Sequence, residues 1–125
     1  KEKIPIKEGK FQFGNKTINI SILPYTVLFK FEKNNDIAYF NLEKLDGHFE
    51  IRNWQLGDKM APFGMTGTQK ISDILINQKV PFHIKKNELV LSYKGKIIWL
   101  IGRRASNLYK ITNSSILRLH VTEHI

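Results

Sequence analysis

A β-rich α+β domain, with about eight strands in two packed sheets and one short helix, follows from three features of the sequence. Apolar and polar residues alternate with the two-residue period of strands in most runs, only one stretch repeats at helical spacing, and Gly, Asn or Pro breaks the chain at short intervals.

Phe11-Gln12-Phe13 and Thr17-Ile18-Asn19-Ile20-Ser21-Ile22 flank Gly14-Asn15, which predicts a hairpin, and Pro24 ends its second strand. Val27-Leu28-Phe29-Lys30-Phe31 gives a third strand and Ile37-Ala38-Tyr39-Phe40 a fourth, with a polar break at Asn34-Asn35-Asp36 between them. His48 to Trp54 alternates again, placing Phe49 and Ile51 on one face and His48, Glu50, Arg52 and Trp54 on the other. A turn at 55–58 and a Gly- and Pro-punctuated loop over 61–68 lead into the helix. There Ile71, Ile74 and Leu75 share a face, Thr66 or Thr68 is placed to cap, Lys79 suits the C-terminal dipole and Pro81 stops the run. Leu89–Tyr93 and Ile97–Ile101 form a second hairpin around Lys94-Gly95-Lys96, its second strand apolar throughout and therefore central. The last strand covers 116–121. Either tryptophan could stack a base, but Trp99 inside an apolar strand belongs to the core, while the pattern leaves the role of Trp54 undecided.

The chain has 125 residues, a length that furnishes one hydrophobic core, and no cysteine, so it carries neither disulfides nor thiolate metal sites. No apolar run reaches the roughly 18 residues of a membrane span, and the first residues lack the apolar stretch of a signal peptide. The expectation is a cytoplasmic protein without membrane contact. The start at Lys1 suggests a piece of a longer protein.

Net charge is +9, and its distribution is lopsided: residues 1–51 hold eight Lys/Arg against seven Asp/Glu, residues 52–125 twelve against four. A field of that kind concentrates polyanions, which makes nucleic acid the first partner to consider beside mere solubility. The cations expected to carry RNA binding are Arg52, Lys59, Lys70, Lys79, Arg103, Arg104 and Lys110, because guanidinium and ammonium groups pair with phosphate oxygens. Gly64, Gly67 and Thr68, just before the helix, form a candidate phosphate loop, although two glycines satisfying tight turns before a capped helix are the simpler explanation of the string.

No nucleophile elbow and no P-loop string occurs, so no catalytic residue is expected in this chain. His120-Val121-Thr122-Glu123-His124 matches an inverted zinc-protease string, but it lies in a β-rich run where the two histidines do not share a helical face; no metal site is expected.

Seven strings occur in order: Ile51-Arg52-Asn53-Trp54-Gln55, Gly57-Asp58-Lys59, Pro62 to Gly67, Lys70-Ile71-Ser72-Asp73, Lys79-Val80-Pro81, Ile97 to Gly102, and Lys110-Ile111-Thr112. Together they resemble the C-terminal domain of bacterial tRNA(Ile)-lysidine synthetases, over about residues 37–121. The resemblance implies a fold similar to a domain of the phenylalanyl-tRNA synthetase β-chain. It implies a parent ligase that uses ATP and magnesium to adenylate the wobble cytidine of an isoleucine tRNA and then attaches lysine. It also implies that the chemistry belongs to an N-terminal catalytic domain with a Ser-Gly-Gly-x-Asp-Ser loop, a string missing here, while this part docks the tRNA body and acceptor stem. A double-stranded stem offers phosphates and 2′-hydroxyls rather than base edges, which suits a basic face.

Two departures stand out: Ser106 and Leu108 replace the acid and the arginine usual in the family. Residues 1–36 match no family and are expected to be a linker or additional strands leading into a docking domain at 37–125. Expected partners are tRNA, the catalytic domain of the same parent chain and, as a possibility, a second copy. The rival reading is a structural module that fastens the catalytic domain or another subunit with little RNA contact, for which an exposed apolar patch with cations scattered around the whole surface is the mark. A small independent enzyme is a remote third.

Overall fold

In the computed structural model, which describes residues 1–124, the chain forms two antiparallel-dominated sheets with a helical layer on one of them. In chain order the strands are β1 (Glu2–Pro5), β2 (Gly9–Phe13), β3 (Lys16–Leu23), β4 (Ile37–Asn41), β5 (His48–Asn53), β6 (Lys59–Met60), β7 (Gln69–Lys70), β8 (Leu89–Tyr93), β9 (Lys96–Leu100), β10 (Arg104–Ala105) and β11 (Ile116–Glu123). The helices are α1 (Ile71–Asn77) and α2 (Phe82–Lys85). The larger sheet runs β1-β5-β8-β9-β6-β7, with β10 also paired to β9; the smaller runs β2-β3-β11-β4.

Alternation explains how the layers meet. Ile18 and Ile20 from β3, Ala38 and Phe40 from β4, and Leu117, Leu119 and Val121 from β11 point inward from the small sheet. They meet Phe49, Ile51, Leu91, Trp99 and Ile101 from the large one. The other face of the large sheet carries Val90, Ile97 and Leu100, which Ile71, Ile74 and Leu75 of α1 cover together with Met60 and Val80. A strand buried on both faces needs no alternation, which is why β9 is apolar without a break from Ile97 to Leu100. It also holds a bulge: Leu91 faces Trp99 but Ser92 faces Ile97, so Ile98 is the extra residue. The bulge places Ile98 and Trp99 in the inter-sheet core while Ile97 and Leu100 face the helix.

Both predicted hairpins form, as β2–β3 and β8–β9, and the helix presents the predicted face. Several expectations are corrected. Residues 27–31 are not a strand: Phe29 N–H donates to the Thr26 carbonyl in a turn, and Val27 and Leu28 are 99% and 84% exposed. The alternation there is real, but Phe29 and Phe31 use it to stack on the Tyr39 ring rather than to join a ladder. Neither Thr66 nor Thr68 caps α1. The residues before the helix are taken by the β6–β7 pairing, Lys70 holds the N-cap position without a side-chain bond, and Ile71 N–H donates to the Asp58 carbonyl. Pro81 does end the preceding run, but it also opens the single turn α2, accepting at its carbonyl from Ile84 and Lys85 N–H.

The first 23 residues supply β1 to the large sheet, against β5, and β2 and β3 to the small one. Residues 24–36 connect these strands to β4. No helix among the described residues is long and apolar enough to cross a membrane.

Candidate nucleic-acid interface

Cations do not act alike merely because they are cations; each depends on whether a carboxylate lies within reach. Arg52 leaves β5 beside the turn at 55–58, whose Asp58 accepts both guanidinium NH groups at 2.9 and 3.0 Å and also the Gln55 N–H at 2.7 Å. Burial pushes the Asp58 carboxyl up, but the bonds from Arg52 and Gln55 outweigh it and hold the group below the usual carboxylate range. Arg52 is thereby a clamp on the turn that follows β5, half-buried and neutralised.

Arg103 and Arg104 are adjacent yet diverge. Arg103 Nε donates to the buried Glu88 carboxylate, beside a cleft that also holds Lys16, Asp36 and Glu123. Arg104 turns the other way, its guanidinium 3.1 Å from the Met65 sulfur, with no carboxylate in ion-pair distance among the described residues. The registers Arg52 to Val90, Val90 to Leu100 and Leu100 to Arg104 put Arg52 and Arg104 in one row on one side of the sheet. At roughly 4.8 Å per strand they stand about 14 Å apart, on either side of residues packed against α1.

Lys59 and Lys70 face each other directly across β6 and β7, both exposed. Like charges so placed repel, an unfavourable arrangement that an anion between them would reverse. The loop over 61–68 springs from this pair and is pinned to the strand after β9: Phe63 N–H donates to the Ala105 carbonyl at 3.0 Å, Asn107 N–H to the Ala61 carbonyl at 2.6 Å, and Pro62 bridges Ser106. Its tip therefore reaches Arg104. Gly64 and Gly67 have φ of 81° and 77°, a left-handed backbone that explains glycine at both, and a Cβ there would meet only open space. Thr68 lies exposed beside them.

The remaining candidates sit apart. Lys79 occupies the C′ position of α1 with φ 56°; its N–H donates to Ile76 and that of Val80 to Leu75, a Schellman arrangement in which Gly would be usual. Lys110 is exposed on the loop before β11. That loop is held by buried Asn41, which donates to Thr112 Oγ1 at 3.1 Å and accepts from Ser114 Oγ at 2.9 Å, a role for the Lys-Ile-Thr string that spacing alone did not reveal. Ser106 serves locally as well, accepting the Leu108 N–H at 2.9 Å. Trp54 is not an open platform: its indole N–H donates to the Lys85 carbonyl at 2.6 Å and its ring packs on the α1 cluster. Trp99 is fully buried, with its Nε1 unpartnered among the described residues. The two histidines of the inverted zinc string lie on and just past β11, and His124 Nε2 is 2.7 Å from Thr17 Oγ1.

One feature near Arg104 was not foreseen. Phe31, Tyr39 and Phe63 form an edge-to-face and tilted array with centroids 5.4 and 6.5 Å apart, lining a cleft of about 510 Å³ with Lys33, Asn35 and Arg104. Its one carboxylate, Glu32, is already engaged, held below its usual range by the hydrogen bond from Arg118 and then by that from Tyr39. The signal in the sequence was the density of aromatics in residues 25–31, which also fits a strand.

A two-sheet β domain with a helical layer, bearing cations that its own acids leave unpaired, is the class this geometry defines. A family model described as the TilS substrate C-terminal domain matches residues 49–121. The tRNA(Ile)-lysidine synthase of Bacteroides thetaiotaomicron is 36% identical over 104 residues, 76% of this chain and 24% of that protein. That of Parabacteroides distasonis is 37% identical over 93 residues, covering 74% and 21%. The Clostridium tetani enzyme is 29% identical over 124 residues, covering 92% and 26%. A solved structure described as a crystal structure of the TILS C-terminal domain superposes with a TM-score of 0.81 over 98% of this chain and 96% of that one, at 18% identity. The chain belongs to the TilS C-terminal domain family. It spans about a quarter of the length of these curated relatives.

Proposed function

We propose that this chain is the tRNA-docking domain of a tRNA(Ile)-lysidine synthetase. It holds the tRNA body and acceptor stem while a catalytic domain of the same parent chain, using ATP and magnesium, modifies the wobble cytidine in the cytoplasm. The chain itself performs no chemical step in this reading.

The observation that carries it is the surplus of unpaired charge. Eight of the twelve cations in the second half of the chain have no carboxylate within ion-pair distance among the described residues, Lys59, Lys70, Lys79, Arg104 and Lys110 among them. Phosphates release counterions when they pair with such groups, so contact with about six phosphates gives a log affinity that falls with log salt by several units. Titrating the chain against tRNA at stepped salt concentrations measures that slope, and a flat response ends the reading. In this reading Arg52 and Arg103 contribute less to docking than the unpaired cations, since each already holds a carboxylate.

The exposed arm gives the rival its footing. Val27 and Leu28 lie in solvent with Tyr25 and Phe31 nearby, an apolar patch of the kind that fastens one domain to another. In a full-length parent, Val27→Asp with Leu28→Asp would then speed proteolysis between domains and leave tRNA affinity unchanged. Under the docking reading Val27 and Leu28 are dispensable for both.

A further inference from the structure

We propose that the cleft between the 24–36 segment and the 61–68 loop takes one unpaired nucleobase of a bound RNA strand. The inference rests on the docking reading and adds a subsite to it.

Three properties of the cleft select this ligand. Phe31 and Phe63 remain 56% and 54% exposed, although edge-to-face contact with Tyr39 and the pinned loop backbone fix their positions. Exposed aromatic rings held in place are stacking platforms, and a base offers a flat π-face to them whatever its identity. Arg104 and Lys33 line the cleft without carboxylate partners among the described residues, so its rim is cationic where the strand's phosphate would lie. Asn35 supplies an amide able both to donate to and accept from a base edge. An apolar peptide would make no use of the two cations, and a duplex stem, its bases already stacked, would make no use of the rings. An extruded or terminal nucleotide uses both.

The test compares a blunt RNA duplex with the same duplex carrying a short single-stranded 3′ overhang that contains 2-aminopurine. The overhang should tighten binding about tenfold, and 2-aminopurine emission should be quenched as the base stacks. Phe63→Leu, which keeps apolar bulk but removes the π-face, should abolish both effects; Phe63→Tyr should keep them; affinity for the blunt duplex should be the same in all three proteins. An overhang that brings no gain, or a gain that survives Phe63→Leu, overturns the proposal and leaves the cleft as an apolar contact for protein. If neither RNA binds with a steep salt dependence, the docking reading falls and the subsite falls with it, a result distinct from the loss of the overhang effect alone.

Discussion

Arg52 and Arg104 occupy the same row of the large sheet, on the same side, yet have become opposite things. Arg52 meets Asp58 six residues on and is spent on closing a turn; Arg104 meets a methionine sulfur and open cleft. The difference lies in the local acid rather than in the cation. A basic residue contributes to a binding surface only after the fold's own carboxylates have taken their share.

The comparison can be broken most directly at Arg52. Arg52→Ala removes two charge-assisted hydrogen bonds and leaves Asp58 partly buried without its partner, which should cost about 1–3 kcal/mol of stability, read as a lower midpoint in urea, with RNA affinity nearly unchanged. Arg104→Glu should invert that pattern, leaving the midpoint where it was and weakening tRNA binding about tenfold or more at low salt; retained affinity would strike Arg104 from the surface.

Acid sharpens the contrast. Because Asp58 titrates lower in the folded chain than in the unfolded one, its contribution is complete above the ordinary carboxylate value near pH 4. It is lost as pH falls through the depressed folded value. Stability curves below pH 4 should therefore flatten in Asp58→Asn relative to the parent sequence, and an unaltered slope would show that the pair contributes nothing.

Lys79 offers a third case, in which the backbone rather than an acid decides. Its left-handed φ at the C′ position favours glycine, so Lys79→Gly should stabilise the chain by up to about 1 kcal/mol despite losing a cation. A drop in thermal midpoint would mean that the ammonium matters more to α1 than the strain does.

Much of the fold was legible because short-range chemistry determined it. Gly14-Asn15 and Lys94-Gly95 mark turns by themselves, and Ile71, Ile74 and Leu75 mark a helical face. What escaped reading was fixed at longer range. β6, β7 and β10 are two residues each and exist only because neighbours supply partners, so no periodicity can announce them. The alternation at 27–31 is equally compatible with a ladder and with aromatic stacking on Tyr39, and the local sequence does not distinguish the two. For the site, the list of cations was readable but not their availability: Glu88 reaches Arg103 across 15 residues and Glu32 reaches Arg118 across 86. The cleft was hidden for the same reason, its rings coming from three separated segments.

The last strand, β11, hydrogen-bonds to β3 on one side and β4 on the other, both drawn from the first 41 residues. A fragment cut at the start of the family match would therefore strip its closing strand of every neighbour, exposing two bare edges and the whole inner face of Phe49, Leu91 and Trp99. Such a piece should precipitate instead of folding, so the unit that must travel together through recombination or cloning is longer than the stretch its relatives most visibly share.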